Sequence, residues 1–501
     1  MISTAKYIIS TCLTIALSAY AVRGMAQSTF KLAAILQDNM VLQQGKPLRV
    51  WGTAKPGDVI KINADWTDRV STAHADDQGN WIGEIKVPKT TPGNFTPHVM
   101  VIIDGNDNIK LSNLLIGDVW LCAGQSNMDM PVERMDMMTY HGVLDVDKEI
   151  AAANYPNLRI CRVRSNLQVS PAATFKGQWQ LCSPKTVGEF SGVAYFFGRE
   201  LYNKLNIPIG LVLAAAPGAS TQAFVKREVL ASDTLLNRVY LQPYVKLLTS
   251  QAKLDSNGFF PSVTKPTVMY NGFIAPIINL SIKGVAWYQG ESNEDDKRST
   301  YISLFKTFLA DLRHEFNQGD LPFYYTQVAP FREGADTTVY NKAIYRETQE
   351  QLLKRTKKTA IAITMDVGEE RSVHPRDKKS VGDRLAFIAL NKTYHLDVPY
   401  LGPHVSSFKV DGNVVTVYFK RDGIGSGLKT KDGQAPRHFF VAGHDHIFHY
   451  ADAKIVDNTV ILHCDAVANP VAVRYAFTDA PITNFENKGG LPALPFRTDA
   501  W

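Results

Sequence analysis

The chain is poor in cysteine. Five occur in 501 residues: Cys12 in an N-terminal apolar run, and Cys122, Cys161, Cys182 and Cys464 spread through the rest. There is no Cys-x-x-Cys, no His-Glu-x-x-His and no Cys/His cluster at ligand spacing. A structural or catalytic zinc is therefore not expected. Cys161 and Cys182 could pair around a local loop if the protein is exported, though spacing alone does not establish a disulfide. Cys122 sits within an apolar run and reads as a small buried hydrophobe. Long apolar runs are also missing. Spanning a bilayer takes about 20 apolar residues, and no segment after the N-terminus approaches that. The run Tyr7–Ala19 follows Lys6 and gives way to small residues ending at Ala26. That pattern predicts a secretory signal over 1–26, with export to the periplasm or medium and no stable membrane insertion. The alternative is an N-terminal anchor. Finally, there is no strong charge of one sign. The formal charge is +6 and the basic residues are scattered. Their densest group, Lys354-Arg355-Thr356-Lys357-Lys358, closes an expected helix, where cations suit the dipole. No aromatics interleave it, so a nucleic-acid partner is not expected.

What is present suggests roughly three domains at about 150 residues each. Residues 27–115 alternate short strands with turns such as Gln44-Gly45-Lys46-Pro47 and Pro56-Gly57-Asp58, the pattern of a small β-sandwich. Apolar strands are expected at 116–123, 209–216, 282–288, 321–328 and 360–365, and helices at 188–206, 298–316 and 340–356. Strands alternating with helices over 116–398 imply a parallel sheet with helices on both faces, and so an α/β fold. From 399 to 501 the pattern returns to β. Residues 225–265 are the least patterned and read as an insertion. No repeats or low-complexity linkers occur.

In a parallel sheet the ligand site lies at the carboxyl ends of the strands. Ser126, Gly218, Gln289 and Asp366 each follow an expected strand end. A serine hydroxyl becomes a nucleophile only with a base nearby and donors for the developing oxyanion. Gly124-Gln125-Ser126-Asn127-Met128 could expose Ser126 on a strand-to-helix turn, but Met128 replaces the second glycine of G-x-S-x-G. Taken alone, Ser126 reads equally as a helix N-cap. His374 stands out among 12 histidines because its loop follows a strand and carries several carboxylates.

Together these segments identify a resemblance. GDVWLCAGQSNM (117–128), WYQGESN (287–293) and DVGEERSVHPRDKKSVGDRLA (366–386) resemble the sialate O-acetylesterase family of SGNH hydrolases. DNMVLQQGKPLRVWGTAKPGD (38–58), YNGFIAPI (270–277), RETQ (346–349) and residues 470–498 extend it from about residue 35 to the C-terminus. The resemblance implies a flavodoxin-like three-layer SGNH hydrolase domain flanked by N- and C-terminal β-sandwich-like regions. It implies removal of O-acetyl groups from sugars, most specifically sialic acids, through an acetyl-enzyme, with no metal and no cofactor. Ser126 matches the nucleophile and His374 the base. The N–H groups of Ser126 and Gly218 and the Gln289 side chain match oxyanion donors.

The chain departs from the family where Ser372 replaces an acidic residue two before the histidine. Asp366 is then the first choice to orient His374, with Glu369, Glu370 or a Ser–His dyad as alternatives. Pro217-Gly218-Ala219 and Phe224 also differ from the family's second block. Asn127, Glu291 and Arg371 are candidate substrate contacts, with Glu291 also readable as a buried structural acceptor. A sialate carboxylate would want an arginine, for which Arg134, Arg346 and Arg371 are candidates. Acetylated xylan or another plant polysaccharide is the alternative substrate, and a non-catalytic glycan-binding protein the alternative class.

Overall fold

The computed structural model describes residues 29–136, 140–332 and 340–501. The expected secretory signal lies outside the described residues.

The N-terminal region holds β1 (Lys31–Leu32), β2 (Val41–Gln43), β3 (Pro47–Thr53), β4 (Val59–Ala64), β5 (Thr67–His74), β6 (Asn80–Lys86), β7 (His98–Asp104) and β8 (Asp107–Gly124). β6 alternates exposed and buried residues along its whole length, as a strand with one wet face must. β1, β3 and β6 form one antiparallel sheet; β5, β4, β7 and the first half of β8 form another. The two sheets approach closely at Gly83, where a Cβ would stand 2.6 Å from the Ile62 Cδ1.

β8 does not stop at residue 115. It is 18 residues long, and its burial pattern changes at Leu114 from mixed to continuous. That is the physical signature of leaving a half-solvated antiparallel sheet for a parallel sheet covered on both faces. The central segment continues with α1 (Ser126–Asp129), α2 (Val146–Ala151), β9 (Tyr155–Arg162), β10 (Trp179–Cys182), α3 (Gly192–Leu205) and β11 (Ile209–Ala215). Then come α4 (Arg227–Ser232), α5 (Thr234–Leu236), α6 (Gln251–Ser256), α7 (Phe259–Val263), β12 (Gly284–Tyr288), α8 (Arg298–Phe316), β13 (Phe323–Thr326), α9 (Asn341–Leu352), β14 (Thr359–Ala362) and α10 (Lys378–Lys392). The strand order is β10-β9-β11-β8-β12-β13-β14, parallel except for the β10 edge. Alternate strand residues serve opposite faces. Leu121, Val212, Val285 and Tyr325 join one core with α8, whereas Cys122, Leu213, Ala286 and Tyr324 join another with α3 and α10. The sheet is thus the middle of three layers.

The expected insertion is built of α4–α7 and short 3-10 and π turns. The four described cysteines are free; Cys122 is fully buried, and Cys161 lies opposite Trp179 rather than Cys182. From Val405 onward the chain forms two four-stranded antiparallel sheets and a two-stranded pair. This β region is fixed to α9 through Arg346, which is fully buried and donates to the Thr478 and Asp479 carbonyls.

Candidate active site

Parallel register brings three loops together. Gly124 lies level with Ala215 of β11 and Tyr288 of β12. Gln125-Ser126, Pro217-Gly218 and Gln289-Gly290 therefore leave the sheet side by side. The crossing is tight at Gly124, which has φ +144 and whose Cβ would stand 2.1 Å from the Tyr288 carbonyl oxygen. Side chains then lace the loops. Gln125 Oε1 accepts from the Gly290 N–H at 3.3 Å and the Ser292 N–H at 3.2 Å. Ser292 Oγ donates to the Gly218 carbonyl at 2.9 Å. Ser126 is the first residue of α1 and only 5% exposed. Gln125 holds the cap position, and the Ser126 hydroxyl makes no hydrogen bond among the described residues, so the helix-cap reading of Ser126 fails. The N–H groups of Ser126 and Gly218 also have no acceptor among the described residues.

His374 arrives on the loop after β14. Asn127, next to Ser126, donates from Nδ2 to the Val373 carbonyl at 2.9 Å and to Glu291 Oε1 at 2.5 Å. The loops that carry Ser126, Glu291 and His374 are thus tied by one amide. The His374 ring stands edge-on to Tyr140, with centroids 5.0 Å apart. Burial, then the charges of Lys378 and His141, hold its pKa down from 6.5 to about 4. It is therefore neutral, and able to accept a proton, at ordinary pH. Among the described residues its ring nitrogens make no hydrogen bond, to Ser126 or to a carboxylate.

Several expected roles are not what the structure shows. Asp366 does not orient His374: its two oxygens take the Arg384 guanidinium at 2.8 and 2.7 Å, with Lys431 beyond at 3.9 Å. Glu369 accepts from the Arg376 N–H at 2.8 Å, and Glu370 pairs with Arg332. Gln289 is not free to face an oxyanion. Its Nε2 donates to Asn293 Oδ1 at 2.8 Å and the Ala219 carbonyl at 3.3 Å, while its Oε1 accepts from Thr221. An amide has only two N–H donors, so Gln289 braces the loop after Gly218. Asn127 is likewise committed, fully buried and bonded within the protein, and is no substrate contact. Glu291 is the buried acceptor of the structural reading; its Oε2 is buried with no partner, and burial raises its pKa. Of the three arginines, Arg346 is buried in a scaffold contact and Arg134 pairs with Asp136. Arg371 is exposed and unpaired among the described residues, three positions before His374.

Sequence reasoning missed Lys378. Its Nζ is buried and donates to Asn127 Oδ1 at 2.5 Å, near Glu291, Glu369 and Asp377. A signal existed, because a cation in the first turn of a helix opposes the dipole and needs another reason to be there. Tyr140 was also missed; nothing local marks it. No group of three or more His, Cys, Asp or Glu side chains placed to hold a metal ion occurs among the described residues.

Comparison with known proteins gives four findings. Residues 116–390 match the family described as carbohydrate esterase, sialic acid-specific acetylesterase. Sialate O-acetylesterase of Mus musculus is 26% identical over 399 residues, covering 71% of this chain and 72% of that protein. The Homo sapiens enzyme of the same name is 25% identical over 390 residues, covering 71% and 69%. The crystal structure of a carbohydrate acetylesterase from Xanthomonas citri superposes with a TM-score of 0.80 at 32% identity, covering 94% of this chain and 100% of that one.

Proposed function

This chain belongs to the family of sialic acid-specific carbohydrate acetylesterases and is a carboxylic ester hydrolase; on that premise we propose that it removes O-acetyl groups from sugars with Ser126 as nucleophile and His374 as base. The observation that carries this reading is the Asn127 amide. It ties the residue after Ser126 to the residue before His374, at the carboxyl end of β8 and beside the Gly218 N–H, which has no acceptor among the described residues. The order β11-β8-β12-β13-β14 supports a flavodoxin-like SGNH hydrolase domain, whose ligand crevice opens where the order reverses at β8.

Ser126 Oγ attacks the acetyl carbonyl carbon as His374 takes the hydroxyl proton. The tetrahedral oxyanion is met by the N–H groups of Ser126 and Gly218. His374 returns the proton to the sugar oxygen, which leaves as the alcohol. Water, deprotonated by His374, then cleaves the acetyl-enzyme to acetate and restores Ser126. Asp366 has no part in this; Ser126 and His374 act as a dyad, with the imidazole steadied by Tyr140. The chemistry needs neither metal nor cofactor. Arg371, exposed and unpaired among the described residues, favours an anionic sugar, so acetylated sialic acid is the preferred substrate over acetylated xylan. The reading includes export, with 1–26 as the signal.

Hydrolysis of p-nitrophenyl acetate tests the chemistry. Ser126→Ala is expected to lower turnover by several orders of magnitude, and a variant that turns over normally removes the assignment. Arg371→Met tests the sugar. It is expected to raise KM for O-acetylated sialic acid while leaving acetylated xylo-oligosaccharides unaffected.

A further inference from the structure

The insertion between β11 and β12 reaches the reaction centre through α7. Gly258, at φ +82, turns the chain from α6 into α7. Ser262 Oγ donates to the Leu254 carbonyl at 3.2 Å and accepts from Asn257 Nδ2 at 2.9 Å, so the two short helices are tied. At its other end α7 is fastened to the loop that carries Gly218. Ser220 Oγ and Gln222 Nε2 both donate to the Thr264 carbonyl, at 2.8 and 3.2 Å. Val263 is buried, and a Cβ on Gly218 would stand 3.2 Å from its Cγ1. Residues three and four apart on a helix share a face, with Cβ atoms about 5–6 Å apart. Phe260 and Phe259 therefore stand within one turn of Val263, at the exposed start of α7.

Both rings remain exposed, Phe259 by 42% and Phe260 by 58%. They meet edge-to-face at 5.4 Å and 88°. Two large apolar side chains held in fixed geometry, unburied, beside an oxyanion loop, suit an occupant that arrives with the ester. The acetyl group is small; the rest of the substrate is its alcohol. A pyranose offers one face of C–H groups to an aromatic ring and keeps its hydroxyls at the rim, in water. A flat ring bordered by the edge of a second is a platform for such a face. We propose that Phe259 and Phe260 form the subsite that holds the sugar ring bearing the acetyl ester. This rests on the esterase reading above and adds the residues that recognise the leaving alcohol.

The test compares wild type with the Phe259→Ala/Phe260→Ala double variant in the full chain. Three substrates are used: O-acetylated N-acetylneuraminic acid, acetylated xylo-oligosaccharides, and methyl acetate, which has no ring to stack. On the sugar ester that wild type hydrolyses, kcat/KM is expected to fall about 10-fold or more, chiefly through KM. Methyl acetate hydrolysis is expected to stay within about twofold, and Phe260→Trp alone to retain the sugar activity. Equal losses on methyl acetate and sugar ester would overturn the proposal in favour of a folding role, as would an unchanged KM for the sugar. Wild-type protein inert on all three esters would overturn the esterase reading itself, and this proposal with it.

Discussion

Lys378 and Asp366 show how buried charges settle roles that residue type leaves open. Lys378 begins α10, with its ammonium on Asn127 and the Glu291 and Glu369 carboxylates nearby. Its charge helps to hold His374 near a pKa of about 4. In the proposed mechanism His374 accepts a proton only when neutral, so the wild-type acidic limb of kcat/KM is expected near that pH, not near 6.5. Lys378→Met removes one downward influence, and the limb should move up toward 6.5. A pH–rate profile on p-nitrophenyl acetate measures this, and a limb that stays put would show that Lys378 acts only in packing. The same depressed pKa has a stability sign. Between about 4 and 6.5 the unfolded chain binds the proton more tightly, so His374's contribution is complete above 6.5 and is lost as pH falls through that window. Asp366 takes the opposite part. Its bidentate pair with Arg384 is almost wholly buried, and breaking such a pair costs about 3–5 kcal/mol. Asp366→Asn should lower unfolding stability by roughly that amount while leaving kcat of the folded enzyme unchanged. Denaturant titration beside turnover separates the two. Ser126 and His374 could be singled out in the sequence because both follow expected strand ends, and the Asn127 amide ties their loops together. The partners of Asp366 and Gln289 could not, because Arg384, Asn293 and Thr221 reach them only through the fold.

Elements were more legible than residues, for a reason visible in β8. Its second half is a continuous apolar run, and so are β11 and β12, because a central parallel strand has no wet face. Helix periodicity likewise placed α8 at its observed bounds and α9 within four residues. Strands near the edge came out shorter than expected; 321–328 contracted to 323–326, since pairing ends before apolarity does. The long continuity of β8 escaped notice because its first half alternates and its second half does not, so one strand reads as two. Gly124 is where that strand must end. A methyl group there meets the Tyr288 carbonyl oxygen at 2.1 Å on a positive φ. Gly124→Ala should push β12 from β8, with a cost of about 1–3 kcal/mol from overpacking and a loss of kcat on every ester. Comparing methyl acetate with a sugar ester checks this. A deficit confined to the sugar would mean that the turn shapes only the acceptor side.

At the scale of the whole molecule, the C-terminal β region is joined to the esterase segment by charged groups that donate to backbone or to each other. Arg346 reaches the Thr478 and Asp479 carbonyls, the Lys342 N–H is accepted by Asp479 Oδ1 at 2.8 Å, and Arg497 pairs with Glu347 at 3.0 Å. Lys431 and the Thr483 N–H reach Asp366 and the Met365 carbonyl, just before the His374 loop. The β region therefore buttresses the segment that leads into the His374 loop. Burial draws the Arg346 pKa down from 12.5 to about 10, so its guanidinium remains charged under physiological conditions. A hydrogen bond from a charged donor contributes about 1.5–3 kcal/mol, and a lysine cannot replace a fork that serves two carbonyls. Arg346→Lys should therefore lower Tm and quicken proteolysis after residue 398, with kcat/KM for methyl acetate and acetylated sialic acid falling in parallel, if at all. A selective loss on the sialic acid ester would instead place Arg346 in the acceptor site. Its full burial argues for the parallel outcome, because a guanidinium closed off from solvent and bonded to the Thr478 and Asp479 carbonyls is out of reach of an incoming sugar.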